Sequence, residues 1–253
     1  MSIKATIEKL KELKLNAMAA ALEVQVRDPA YESLSFEERL DILVEYEWLA
    51  KRMRTARRVA KGTGIEQAEA CVENIKYFDD RRIDKELVSE LSTCDFIREH
   101  RNVLITGSVG NGKTYIASAL GLKAAERGFE VRYIRMAQLA LELDSARLNG
   151  TLKDVVRKYL AFDLLILDEW LLTPLDEDNT RIVYEIIAGR SGKASTIVCS
   201  CFEPVDWLAR MGDTAVAGVV YEKLCKGSYV LPIACNGSMR ERRRLYMSPR
   251  FKV

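Results

Sequence analysis

A glycine-rich stretch followed by a lysine and a threonine gives the first chemical signal in the sequence. Residues 107–114 read GSVGNGKT and fit G-x-x-x-x-G-K-[ST] at every fixed position, with an apolar strand pattern before them and a helical pattern after them. Glycines allow successive backbone N–H groups to converge on one anion, and a helix N-terminus adds partial positive charge. The pattern predicts a site for a nucleoside triphosphate.

Two side chains of this loop have the chemistry to bind the ligand directly. Lys113 can bridge β- and γ-phosphate oxygens, and Thr114 can offer its hydroxyl to Mg²⁺. The backbone N–H groups supply the remaining contacts. We expect the nucleotide to touch Gly107, Ser108, Val109, Gly110, Asn111, Gly112, Lys113, Thr114 and Tyr115.

An acidic pair ends a later strand pattern. The stretch DLLILDEW is apolar up to Asp168 and Glu169. At the carboxyl end of a parallel strand, Asp168 can hold the Mg²⁺ shell, and Glu169 can orient and polarise a water in line with the γ-phosphate. Because Glu169 can activate a water as the acceptor of the phosphoryl group, the acid pair favours hydrolysis over transfer to another substrate. The next strand pattern ends in Ser200, whose hydroxyl either contacts the γ-phosphate or the water, or only caps the strand.

These residues lie in a part of the chain that alternates strands with helices. Such alternation predicts an α/β fold with a parallel sheet that helices cover on both faces. A helix over 85–100 is predicted before the loop strand. The strand patterns cover 102–107, 130–134, 164–168, 195–200 and 228–233, and the helical patterns cover 114–127, 136–148, 151–160, 177–190 and 213–224.

The beginning of the chain has a different, all-helical pattern. Apolar residues recur every three or four positions over 3–27, which predicts one helix. Ser35 and Glu38 form a capping-box pattern that begins a second helix. The change of pattern after this helix predicts a small N-terminal helical domain at 1–64 and an α/β domain at 65–253.

The end of the second helix, near Gly62, is the most basic stretch of the sequence. No acid occurs between positions 51 and 61, and a helical spacing puts most of the cations on one face. Such a stripe can neutralise a DNA backbone. It can also be a solvated helix end, where cations suit the negative end of the dipole. The candidate DNA contacts are Lys51, Arg54, Arg57, Arg58 and Lys61.

Composition limits the remaining classes of protein. The chain has 253 residues, a net charge of +2 and 48% hydrophobic residues, an ordinary globular balance. It has no run of about 18 apolar residues, so we expect no membrane span and a cytoplasmic location. Six cysteines without a C-x-x-C pair, and a single histidine, argue against a zinc site and a disulfide framework.

Several stretches together resemble the AAA+ ATPases of the IstB/DnaC type, and within that group the IstB-like transposition helper proteins. The likeness covers most of the chain from about residue 35. It is most particular in STIVCSCFEPVDWLARMGD and NGSMRERRR. The resemblance implies a P-loop AAA+ fold, ATP and Mg²⁺ as cofactors, assembly into rings or helical rows on duplex DNA, and an IstA-like transposase as partner.

The resemblance also implies roles for individual residues. Lys113 and Thr114 belong to Walker A, Asp168 and Glu169 to Walker B, and Ser200 resembles sensor 1. Arg240 in GSMR resembles the sensor 2 arginine. The implied catalytic set is Lys113, Glu169, Ser200, Arg240 and Lys223.

The arginine finger and the adenine contacts remain open. Lys223 stands where the family carries its finger arginine, and lysine keeps the charge but loses the bidentate fork. Arg210 or another arginine is the alternative. Tyr77 or Phe78, just before the ATPase core, can pack on the base.

These features favour an ATP-driven helper of DNA transposition and recombination. A replicative helicase loader of the DnaC type shares the ATPase core and is the alternative. A third hypothesis is a non-hydrolysing scaffold gated by ATP, and the Asp168–Glu169 pair argues against it.

Overall fold

The computed structural model describes residues 3–212, 214–239 and 242, and the chain divides into two compact units at the boundary between Arg58 and Val59. The boundary falls inside the third helix, six residues before the division at 64/65 suggested by the sequence. The first three helices are α1 (Ile3–Glu12), α2 (Asn16–Arg27) and α3 (Phe36–Thr63).

The prediction of one helix over 3–27 is wrong, because the chain turns at Lys14. This residue has a φ of 60°. The N–H groups of Lys14 and Leu15 donate to the carbonyls of Lys11 and Leu10, both at 2.9 Å, which is the bonding of a Schellman motif. The turn lets both helices pack apolar side chains into one small core of Ile7, Ala19, Ala21, Leu22 and Leu43.

The predicted start and end of the second helix are confirmed in α3. The Ser35 N–H donates to Glu38 Oε2 at 2.8 Å, and the Glu38 N–H donates to Ser35 Oγ at 3.2 Å. This is the capping box. The helix continues to Thr63, one residue past the predicted end.

A buried glutamate of α3 completes the N-terminus of α2, which has no side-chain cap of its own. Glu47 is 5% exposed and accepts the N–H groups of Ala17 at 2.9 Å and Met18 at 3.1 Å. Arg54 Nη2 donates to the other oxygen at 2.6 Å. Burial opposes the charge on Glu47, but these hydrogen bonds outweigh it and lower the pKa of this carboxyl.

The second unit is an α/β sandwich. Its strands are β1 (Arg81–Arg82), β2 (Val103–Thr106), β3 (Val131–Arg135), β4 (Leu164–Asp168), β5 (Ser195–Ser200), β6 (Tyr229–Pro232) and β7 (Ala234–Cys235). Its helices are α4 (Lys85–Ser92), α5 (Asp95–Arg98), α6 (Lys113–Glu126), α7 (Met136–Leu148), α8 (Leu152–Ala161), α9 (Glu177–Arg190), α10 (Trp207–Arg210) and α11 (Ala215–Cys225).

Five strands form a parallel sheet in the order β3-β4-β5-β2-β6, and β1 pairs with β7 in an antiparallel ribbon. Alternate residues of the large sheet enter two cores. Leu104 and Val198 face the core that includes α7, α9 and α11, whereas Ile105 and Ile197 face the core that includes α6. This burial on both faces explains why the strands read as continuous apolar runs.

The five strands of the large sheet and five of the six helices after β2 occur where the sequence predicts them, which confirms the α/β fold. The helix predicted over 85–100 is instead broken into α4 and α5. Cys94 separates them with a φ of 62°. A cysteine within an apolar helical pattern gives no sequence signal of this left-handed conformation.

Three negative findings apply to the described ranges. No helix there is both long and apolar enough to cross a membrane. The cysteines form no disulfide. No three or more His, Cys, Asp or Glu side chains gather into a metal-binding group.

We predict that Glu47→Gln lowers the free energy of unfolding of the N-terminal helices by about 1 kcal/mol at pH 7, because the charged cap is lost. Since the pKa of Glu47 is lowered by folding, its stabilisation is complete above the ordinary value of 4.5 and disappears as the pH falls through the lower folded pKa. Urea unfolding of both proteins across this range measures the difference. Glu45→Gln, an exposed site on the same helix, is the control, and an equal loss there would contradict the assignment.

Candidate active site

The glycines of the 107–114 loop are required by its backbone. Gly107 has a φ of 138°, and a Cβ there would lie 2.1 Å from the Ile233 carbonyl oxygen. Gly112 has a φ of 91° and precedes the first residue of α6. A Cβ at Gly112 would lie 2.8 Å from Nη2 of Arg81. The loop thus has the left-handed turns and close contacts that only glycine accommodates.

Three hydrogen bonds hold the loop from outside. Asn111 Nδ2 donates to the Ile233 carbonyl at 2.9 Å, and Arg81 Nη2 donates to the Asn111 carbonyl at 2.9 Å. The Met239 N–H donates to the Gly110 carbonyl at 2.9 Å. Both ends of the α/β unit therefore support the loop. The sequence analysis does not identify Arg81, because no local pattern indicates a contact between residues that lie 30 positions apart in the chain.

The inner side of the loop is positively polarised. Helix α6 begins at Lys113 with no side-chain cap, so its first N–H groups are available to an anion. Lys113 Nζ donates to the carbonyls of Gly107 at 2.6 Å and Ser108 at 3.0 Å, which keeps the ammonium against the loop. Thr114 follows and is half-buried.

Two other predicted contacts can act only through the backbone. Val109 is 67% exposed and its side chain contributes nothing polar. The Tyr115 hydroxyl instead pairs with the backbone of Cys71, whose N–H donates to it at 3.3 Å. Only the N–H of Tyr115 is therefore suited to a phosphate contact.

The first acid of the strand-end pair is buried and fixed. Asp168 is 2% exposed. Its Oδ2 accepts the Tyr133 O–H at 2.7 Å, and its Oδ1 accepts the Glu169 N–H at 2.8 Å. Burial and the Asp168 charge together raise the pKa of Tyr133, so the tyrosine stays a neutral donor.

The loop and the acid lie at one edge of the sheet. Strand β5 separates β2 from β4, so Asp168 lies two strands, or about 10 Å, from the strand that feeds the loop. The thiol of Cys199 on β5 is close to both charges. Burial and the Asp168 carboxylate raise its pKa, and the Lys113 ammonium opposes them.

The arrangement fits Mg²⁺. This ion prefers oxygen ligands and is bound through one or two carboxylates together with substrate phosphates. The hydroxyl of Tyr133 and the N–H of Glu169, which donate to Asp168, are both uncharged. Thr114 adds a hydroxyl on the loop side.

The second acid, Glu169, is half-buried directly after β4 and has a φ of 55°. Its carbonyl accepts the Leu172 N–H at 3.0 Å. The left-handed backbone turns the chain sharply at this residue, a conformation that non-glycine residues adopt mainly where the surroundings enforce it.

Of the two roles predicted for Ser200, a contact with the γ-phosphate or the water and a cap of the strand end, its contacts are those of the cap. It is fully buried. Its hydroxyl donates to the Trp170 carbonyl at 3.3 Å and accepts the Phe202 N–H at 3.1 Å and the Trp207 Nε1–H at 3.2 Å. These bonds use its one donor and both acceptor positions, so a phosphate contact requires that one of them break.

One candidate basic catalytic residue, Lys223, lies away from the loop. Lys223 is exposed in the last turn of α11, and its carbonyl accepts Asn102 Nδ2 at 3.0 Å. Asn102 precedes β2, so the backbone of Lys223 lies at the sheet edge opposite to the loop. Arg240 lies outside the described residues. Arg210 donates to the carbonyls of Leu171 and Leu172.

The aromatic candidates for adenine both carry a cation on the ring. Lys85 Nζ lies 5.7 Å from the ring centroid of Tyr77, which is 39% exposed, and the Arg242 guanidinium lies 5.0 Å from that of Phe78. Arg242 also makes an ion pair with Asp80. Base stacking on either ring remains a prediction.

Most of the predicted DNA contacts are available to a ligand. Lys51, Arg58 and Lys61 are exposed. Arg54 has a half-exposed side chain but is paired with Glu47, so part of its role is structural. The side chain of Arg57 lies outside the described residues.

The phosphate loop after β2, the acid pair after β4 and the strand β5 between them define a P-loop protein of the AAA+ class. Its parallel sheet is sandwiched by helices, and a small all-helical unit precedes it.

The chain belongs to the family of IstB-like ATP binding proteins, which it matches over residues 8–246. It is 36% identical over 200 residues to a protein of Pseudomonas fluorescens described as the putative ATP-binding protein of insertion sequence IS1162, covering 79% of this chain and 87% of that protein. It is 31% identical over 246 residues to the insertion sequence ATP-binding protein y4pL of Sinorhizobium fredii, covering 94% and 97%.

Solved structures support the fold. The structure of AMPPCP-bound DnaA from Aquifex aeolicus matches with a TM-score of 0.59 at 22% identity, over 73% of this chain. The chain spans 56% of that DnaA structure. A crystal structure of the DnaC helicase loader matches with a TM-score of 0.52 at 20% identity, over 65% of this chain and 97% of the loader.

We predict that Gly107→Ala weakens ATP binding about tenfold or more, because the new methyl meets the Ile233 carbonyl and displaces the N–H groups of the loop. Gly128→Ala is the matched control: Gly128 also has a positive φ, 91°, but open space around it. It should cost about 1 kcal/mol of stability and leave binding intact. Titration with a fluorescent ATP analogue and thermal unfolding measure both effects. Equal binding by the two variants would contradict the steric argument.

Proposed function

We propose that this chain is an ATPase that assembles on duplex DNA and regulates or activates a transposase. ATP with Mg²⁺ is the cofactor, and the site of action is the cytoplasm, where nucleotide and DNA are both available. Membership of the IstB-like family supports the link to insertion sequences. The position of Asp168 and Glu169, with one strand between them and the loop of Lys113, is the observation that supports hydrolysis.

The site residues divide into binding and activating groups. The loop N–H groups and Lys113 bind the phosphates, with Lys113 leaving the loop carbonyls for the β- and γ-phosphate oxygens. Thr114 and Asp168 would hold Mg²⁺, which supplies charge stabilisation at the γ-phosphate. Tyr133 keeps the Asp168 carboxylate oriented through its 2.7 Å hydrogen bond.

Glu169 acts on the attacking water. Its carboxylate accepts a hydrogen bond from the water and orients it in line with the γ-phosphate. The turn after β4 fixes the backbone of Glu169 directly after Asp168, the residue that would hold Mg²⁺. Lys223, and Arg240 from the C-terminal segment, are the candidates to neutralise the γ-phosphate, the first from a neighbouring subunit.

Assembly and DNA binding are the finer parts of this proposal. A neighbour is needed if Lys223 is the finger, because its backbone lies at the sheet edge opposite to the loop. The exposed cations of α3 supply sequence-tolerant contacts with DNA phosphates. A DnaC-type helicase loader shares this ATPase core, and the family match favours the transposition helper over it.

We predict that two substitutions at the site affect different quantities, ATP binding and the rate of turnover. Lys113→Ala should weaken ATP binding about 10- to 100-fold, because the charge-assisted hydrogen bonds of the ammonium to the phosphates are removed. Glu169→Gln should leave binding intact and lower kcat by about 10²- to 10⁴-fold, because the water loses its base. Phosphate release and ATP titration measure the two quantities.

The controls for these variants are exposed residues of the same types, Lys153→Ala and Glu185→Gln. Normal turnover by Glu169→Gln would remove this residue from the mechanism. ATP binding without turnover by the unmodified protein, with and without duplex DNA, would favour the non-hydrolysing scaffold.

We predict that Lys51→Gln, Arg58→Gln and Lys61→Gln together weaken binding to duplex DNA. The slope of log K against log salt should fall by about 0.9 for each DNA phosphate that the variant no longer neutralises. A triple variant of three exposed cations elsewhere, Lys153, Arg157 and Lys193, removes the same charge and should keep the slope. An equal weakening in both triples would contradict a DNA contact on α3.

A pull-down decides between the two partner proteins. The ATP-bound Glu169→Gln variant is presented to the transposase of its insertion element and to a replicative helicase. Retention of the transposase supports the proposal, and retention of the helicase alone supports the loader.

A further inference from the structure

The segment that follows β4 contains two left-handed residues that are not glycine. Glu169 has a φ of 55° and Leu171 a φ of 54°, and Trp170 lies between them. Residues other than glycine rarely adopt this backbone conformation, and they keep it where contacts with the surrounding structure enforce it. The contacts of this segment show which groups hold Glu169 and Leu171 in the left-handed conformation.

The first half of the segment is fixed by the two neighbouring strands. The Glu169 N–H donates to Asp168 Oδ1, and the Trp170 N–H donates to the Cys199 carbonyl at 2.8 Å. The Trp170 carbonyl accepts the Ser200 hydroxyl at 3.3 Å. The Trp170 ring is fully buried and packs edge-on against Trp207, with 5.7 Å between ring centroids.

The second half is held by one arginine. Arg210 Nε donates to the Leu171 carbonyl at 2.6 Å, and its Nη2 donates to the Leu172 carbonyl at 2.8 Å. The guanidinium also lies 3.9 Å from the Phe202 ring centroid, a cation–π contact that adds to these two hydrogen bonds. A planar fork on two consecutive carbonyls is a contact that lysine cannot reproduce.

The last bond of the segment closes it back on the acid. The Leu172 N–H donates to the Glu169 carbonyl at 3.0 Å. The carbonyl of Leu172 is the one that Arg210 binds. The arginine therefore anchors the residue whose N–H holds Glu169 in its turn.

We propose that Arg210 is a positioning residue that holds Glu169 in the left-handed conformation required to orient the attacking water, and that it acts within its own subunit. The inference rests on the proposed ATPase function. It assigns Arg210 a role other than a finger that reaches a neighbour's nucleotide. Ser200 supports the same segment through Trp170.

Kinetics give the first test. Arg210→Ala should lower kcat by about 10²-fold, as for a misplaced catalytic group, with KM for ATP unchanged. Arg210→Lys should lower kcat similarly, because lysine keeps the charge but cannot form the fork. This variant also provides the test if the alanine variant does not fold. Arg181→Ala, an exposed arginine of α9, is the control. A normal kcat in Arg210→Lys would overturn the proposal.

Subunit mixing separates positioning from a finger. Lys113→Ala subunits cannot bind ATP well but carry an intact Arg210, and they are mixed with Arg210→Ala subunits. A finger acting in trans would restore turnover in the mixture, which would overturn the proposal. A positioning residue gives no recovery. The same mixing of Lys113→Ala with Lys223→Ala is the parallel test for Lys223 as a finger.

Amide hydrogen exchange tests the inference without any ATP turnover. In Arg210→Ala and Arg210→Lys, the Leu172 amide should exchange about tenfold faster or more, because its residue is no longer anchored. Unchanged exchange at Leu172 in both variants would overturn the proposal. If the unmodified protein does not hydrolyse ATP, the proposed function fails, and the exchange measurement still decides whether Arg210 holds the segment.

Discussion

The structure of the site depends on the position of β5 between the loop strand and the acid strand. In a parallel sheet all carboxyl ends meet at one edge, so the loop after β2 and Asp168 after β4 face the same space at a separation of about 10 Å. That gap suits a phosphate chain with a hydrated cation better than a direct ion pair.

Contacts from other parts of the chain support several polar groups at this edge. The loop is supported by Arg81 and Ile233, and Asp168 by Tyr133. The turn at Glu169 is held by tryptophans, a serine and an arginine that come mainly from β5 and the chain beyond it. Electrostatic catalysis requires such preorganisation, because groups that reorganise during the reaction lose much of their effect. These supporting residues come from distant parts of the chain. The residues of the loop and the acid pair therefore do not form the site by themselves.

Short-range patterns in the sequence predict the fold and the local conformation of the loop well. Strand ends, the capping box of Ser35 and Glu38, and the loop glycines each follow from local sequence. The failures have a common cause. Lys14 and Cys94 reverse or break a helix in the left-handed conformation, and neither residue type signals it. The hydroxyl of Ser200 and the guanidinium of Arg210 are committed by tertiary contacts, which a single sequence does not reveal.

The support of the loop by Ile233 and Met239 has a consequence for synthesis of the chain. The glycine motif leaves the ribosome more than a hundred residues before the carbonyl and N–H that brace it. A nascent chain therefore carries the complete motif long before it has a formed nucleotide site. The two loop contacts from Ile233 and Met239 can form only after the chain has been synthesised through residue 239, so we expect a nascent chain to gain ATP binding late.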